Sequence, residues 1–105
     1  MNKETDKELL ELAAKASGYV FFEHTLINER TGFEYNEWNP LEDDSDAFRL
    51  AVQLEMLVDP VNRVVAGYSS DICIDIDPEE QEEDSYSAVR KAIVRAAAEI
   101  GKGMK

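Results

Sequence analysis

Trp38-Asn39-Pro40-Leu41-Glu42-Asp43-Asp44-Ser45-Asp46-Ala47-Phe48-Arg49-Leu50-Ala51-Val52-Gln53-Leu54 contains a turn, a run of acidic capping residues and an amphipathic helix, in that order. A residue before proline avoids the helical region, so the chain turns at Asn39-Pro40. Several of the residues Glu42 to Asp46 have the side chain an N-cap needs, and their charge suits the positive end of a helix dipole. Ala47, Phe48, Ala51, Val52 and Leu54, with Leu50 near the border, are expected to form the inward face of the helix. Trp38 and Tyr35, placed just ahead of a proline and a helix, read as the seal at the edge of a core; an aromatic binding platform is the competing reading.

Upstream, Thr5-Asp6-Lys7-Glu8 has the spacing of a capping box, and Leu9, Leu10, Leu12, Ala13 and Ala16 follow at helical intervals. Gly18 stands where a glycine ends a helix, so a helix is expected from about Asp6 to Ser17. Tyr19-Val20-Phe21-Phe22 reads as a strand. Asn28 to Gly32 supply turn chemistry, and Phe33, Tyr35 and Trp38 suggest a second strand that completes a hairpin.

Downstream, Met56-Leu57-Val58 and Val64-Val65-Ala66 are apolar runs on either side of a turn at Asp59 to Arg63. Asp71-Ile72-Cys73-Ile74-Asp75-Ile76-Asp77 alternates strictly, placing three isoleucines on one face and the aspartates with Cys73 on the other. A polar linker, Pro78 to Asp84, leads to a last helix capped by Asp84 or Ser85. Tyr86, Val89, Ile93, Ala96, Ala97 and Ile100 are its expected inward face, and Gly101 its stop. The fold class expected is α+β: a small sandwich of an antiparallel sheet of about four strands with three helices, in the order α-β-β-α-β-β-α, in one domain spanning 1–105.

Bulk composition narrows the function classes. The 105 residues are 44% hydrophobic with nine aromatic rings, ordinary values for a globular domain. No apolar run reaches the ~18 residues of a membrane span, and no signal-peptide core follows the polar N-terminus. A single cysteine, Cys73, has no internal disulfide partner. The expected location is the cytoplasm. A net charge of −12 opposes direct binding to nucleic acid or an anionic membrane surface. That charge is uneven: residues 71–84 carry eight acidic groups and no basic one, whereas residues 85–105 carry five basic groups and one acid.

The carboxylate run is the candidate for function. Asp71, Asp75, Asp77, Glu79, Glu80, Glu82 and Glu83 are the expected partner-binding residues, facing a basic protein. A calcium loop starting at Asp75 fails, because its sixth position is Glu80 rather than glycine and its twelfth is Tyr86 rather than glutamate. A small metal-dependent enzyme using the Asp71–Glu80 carboxylates is an alternative, and a structural homo-oligomer, with a homodimer its simplest form, is another. His24 lacks a nucleophile in a recognisable motif and reads as an exposed strand-end histidine. Cys73, set among aspartates, reads as a passive small side chain. No catalytic residue, metal ligand set or cofactor is expected.

Two segments carry a family resemblance. Trp38-Asn39-Pro40-Leu41 with Asp46-Ala47-Phe48-Arg49-Leu50-Ala51-Val52 resembles the Trp-Asn-Pro lead-in and following helix of the phage "ABA sandwich" domain. Ala88-Val89-Arg90-Lys91-Ala92-Ile93-Val94-Arg95-Ala96-Ala97-Ala98 looks like that family's closing helix, and Lys7 to Ala16 is similar to its opening. The resemblance implies an α-β-α arrangement and a host-interacting accessory role in tailed phages and prophages, with no catalytic residues to carry over. The Asp71, Asp75 and Asp77 face departs from a sheet covered on both sides, since buried unpaired carboxylates are costly.

Overall fold

The computed structural model describes residues 5–59, 61, 64–67, 72–76 and 85–104. In chain order the elements are α1 (Asp6–Ala16), β1 (Val20–Phe22), β2 (Thr25–Asn28), β3 (Phe33–Tyr35), α2 (Asp44–Gln53), β4 (Met56–Asp59), β5 (Val64–Gly67), β6 (Cys73–Asp75) and α3 (Ser85–Lys102). The α+β class and the three helices are as the sequence indicates. The strands described number six rather than about four, and they form two antiparallel three-stranded sheets, β1-β2-β3 and β4-β5-β6. The order is therefore α-β-β-β-α-β-β-β-α.

The added strand in the first half is β2. Phe22 pairs with Thr25, so β1 and β2 are joined by Glu23 and His24 alone, and both have positive φ, 50° and 71°. This is a type I′ geometry, in which asparagine and glycine are the usual residues. The turn at residues 28–32 joins β2 to β3 instead of β1 to a distant strand. There Asn28 Oδ1 accepts from the Arg30 and Thr31 amides, and Gly32 has a φ of 78°.

α3 is the most widely packed helix. It packs on α1, on α2 and on all three strands of the second sheet. More than one of its faces is buried, including Ser87, Ala88, Ala92, Val94, Ala96, Ala97 and Ala98, as befits a core helix. Small side chains let α1 approach closely. A Cβ built on Gly101 would lie 2.1 Å from the Leu12 carbonyl oxygen. Gly101 therefore serves this contact from inside the helix, which continues to Lys102. Lys15 Nζ donates to the Met104 carbonyl at 3.1 Å, so contacts advance in the same sense along α1 and along α3 and the residues after it.

Two expected faces change. On α2 the buried stripe is Ala47, Leu50 and Ala51, while Phe48 is 69% and Val52 60% exposed. Residues 47, 50, 51 and 54 form one i, i+3, i+4, i+7 stripe, and Phe48 and Val52 sit about 100° further round. On α3, Tyr86 is exposed. In the second sheet Val58, Val65 and Ile74 form a row facing the core. Leu57, Ala66 and Cys73 form a row on the opposite face, where Leu57 and Cys73 are exposed.

Candidate functional site

The Trp38 loop is held from four sides. The Trp38 amide donates to the His24 carbonyl at 2.8 Å, tying the loop to the β1–β2 turn. Its indole is 5% exposed and meets Phe21 edge-on at 5.7 Å between centroids. Asn39 Oδ1 accepts from the Leu41 amide, and the Asn39 carbonyl accepts from the Glu42 and Asp43 amides. From α3, Arg90 Nε donates to the Leu41 carbonyl at 2.9 Å and its guanidinium pairs with Asp44. Trp38 is a core seal, as expected, and its indole presents no open face.

Asp43 is the N-cap of α2, accepting from the Asp46 amide at 3.0 Å. Asp46 is itself 2% exposed, and its two oxygens accept from the Tyr35 hydroxyl at 2.8 Å and the Asn39 amide at 2.9 Å. A buried carboxylate saturated by such donors is a structural clamp. The hydrogen bond to Asp46, then the charge of that carboxylate, raises the Tyr35 pKa above its ordinary value.

Beside this loop lies an open groove of about 630 Å³ between α1, the β1–β2 turn and the start of the Trp38 loop. The α1 face contributes Asp6, Lys7, Leu10 and Glu11; β1 and its turn contribute Phe21, Phe22, Glu23 and His24; the loop contributes Asn39, Leu41 and Glu42. The capping box fixes the start of α1: the Thr5 amide donates to Glu8 Oε1 and the Glu8 amide to Thr5 Oγ1. Leu10 and Leu41 are buried in the floor, whereas Phe22 is 62% exposed. His24 lies at the turn, exposed, with its ring edge-on to Phe21 at 6.3 Å. Four carboxylates thus face one ammonium group across an apolar floor. Among the described residues none of Asp6, Glu11, Glu23 or Glu42 has an ion-pair partner. The volume lies in the range of ordinary ligand sites.

A second hollow of about 620 Å³ lies at the other end of α1, where Lys15, Glu29 and Arg30 contribute charge around Tyr19 and Val20. It lacks the first groove's acidic excess.

Of the residues expected to bind a partner, Asp75 is exposed on β6, beside exposed Cys73. Asp71, Asp77, Glu79, Glu80, Glu82 and Glu83 lie outside the described residues. Among the described residues no three His, Cys, Asp or Glu side chains are grouped to hold a metal ion. No helix among them is long and apolar enough to cross a membrane. The groove residues had one legible signal: Val20 to Phe22 and Thr25 to Asn28 are strand-like runs separated by two polar residues. No family model, curated protein or solved structure significantly matches the chain.

Proposed function

We propose that this chain is a non-catalytic binding protein that engages a basic host or phage protein through its acidic surface. On the resemblance of Trp38 to Leu41, of the helix after it and of residues 88–98, it is a phage or prophage accessory protein of the ABA sandwich type. It then acts in the cytoplasm of the bacterial host. The observation that carries the binding reading is the gathering of Asp6, Glu11, Glu23 and Glu42 around one open groove without ion-pair partners among the described residues. Exposed carboxylates clustered over low-dielectric apolar walls focus negative potential, which speeds encounter with a cationic surface. The run from Asp71 to Glu83 adds to the net negative charge of the chain.

Capture from bacterial lysate on immobilised protein tests this reading, at low salt and at ~0.5 M salt, where exposed charge pairing is screened. The expected result is a basic protein retained at low salt and released at high salt. Retention of no salt-sensitive partner contradicts it.

A further inference from the structure

We infer that the groove between α1 and the β1–β2 turn receives a basic amphipathic peptide segment of a partner protein, with arginine or lysine side chains alternating with apolar ones. The inference rests on the reading above, that the chain binds a basic protein, and gives it a place and a chemistry. The acidic rim of Asp6, Glu11, Glu23 and Glu42 complements cationic side chains. The floor asks for something else. Leu10 and Leu41 line it, and Phe22 stands 62% exposed at its wall. A purely hydrophilic polycation would leave that apolar surface wet, whereas an apolar side chain between two arginines covers it. An arginine lying on the Phe22 ring gains a cation–π contact as well.

The turn points the same way. Glu23 and His24 hold positive φ without being asparagine or glycine. Non-glycine residues are disfavoured there, and a turn serving only to reverse the chain is better made from Asn-Gly. Keeping Glu23 places a carboxylate at the mouth of the groove at some cost in backbone energy.

Two blocked pentapeptides test the inference by isothermal titration at low salt. One alternates arginine with leucine; the other alternates arginine with serine at the same charge. The arginine–leucine peptide is expected to bind about tenfold tighter, since each leucine buries apolar surface that serine cannot. The double variant Glu23→Gln/Glu42→Gln is expected to weaken both peptides about fivefold, the scale of a few exposed charge pairs. Phe22→Ala is expected to erase most of the preference for leucine, and Glu34→Gln, an exposed carboxylate on β3 outside the groove, to leave binding unchanged. Circular dichroism checks that each variant is folded. Equal binding of the two peptides overturns the groove inference. So does binding that falls with Glu34→Gln and not with the groove variants, although the broader reading of a basic partner then stands. No binding of either peptide at low salt overturns the groove inference, while the broader reading falls only if the lysate capture also retains no salt-sensitive partner.

Discussion

Asp46 and Glu42 are one helical turn apart in sequence, and the structure uses their carboxylates in opposite ways. Asp46 is turned inward, 2% exposed, with Tyr35 and Asn39 donating to its oxygens. Glu42 is turned outward to the groove, where it joins Asp6, Glu11 and Glu23 without an ion-pair partner among the described residues. The first carboxylate is spent on the fold, fastening the Trp38 loop to α2. The second set leaves its charge available. Saturation by partners, rather than residue type, separates a structural acid from a binding one in this molecule.

Substitutions should divide along that line. Asp46→Ala strands two donors in a half-buried loop and is expected to lower stability by about 3 kcal/mol in urea unfolding. Tyr35→Phe removes one of those bonds and is expected to cost about 1.5 kcal/mol near neutral pH. Its pH dependence follows from the raised pKa of the phenol. As pH rises past about 10, the unfolded chain releases this proton while the folded chain still holds it. The Tyr35 contribution is thus full below that pH and is lost as pH climbs through the folded value. The stability gap between wild type and Tyr35→Phe should shrink in urea midpoints taken toward pH 11, about one unit above the ordinary tyrosine value; a gap that widens there would break the assignment of the bond.

On the groove side, Glu23→Asn/His24→Gly is expected to raise stability by about 1 kcal/mol by relaxing the turn. It should weaken peptide binding at the same time. Smallest of all, Glu42→Gln is expected to change stability by less than about 0.5 kcal/mol, since its exposed side chain takes no part in the cap or the clamp. A loss as large as that of Asp46→Ala would erase the distinction between the two kinds of carboxylate.

Local signals in the sequence are legible where one side chain acts on its own backbone. Thr5 and Glu8 form the capping box, Gly18 has a φ of 84° beyond α1, and the isoleucine face of residues 72–76 turns toward the core. Features that depend on tertiary approach were not legible. Gly101 looks like a helix stop until Leu12 is seen against it. Phe48 and Val52 look like core by type, and only the choice of one stripe over its neighbour leaves them outside. The Glu23-His24 turn carries none of the usual turn residues, so only the two strand-like runs flanking it mark the hairpin in the sequence, and the groove beside the turn is not marked at all. Among the carboxylates, the run from Asp71 to Glu83 stands out in the sequence because those residues lie close together along it. Asp6, Glu11, Glu23 and Glu42 are brought together only by folding.

The most direct test is amide chemical-shift mapping of the whole chain during titration with the arginine–leucine peptide. The account expects the largest shifts at Leu10, Glu11, Phe22, Glu23, His24 and Glu42, with Asp75 and its strand neighbours nearly still. Largest shifts on the second sheet, or none anywhere at millimolar peptide, a concentration that detects even weak pairing, would contradict it.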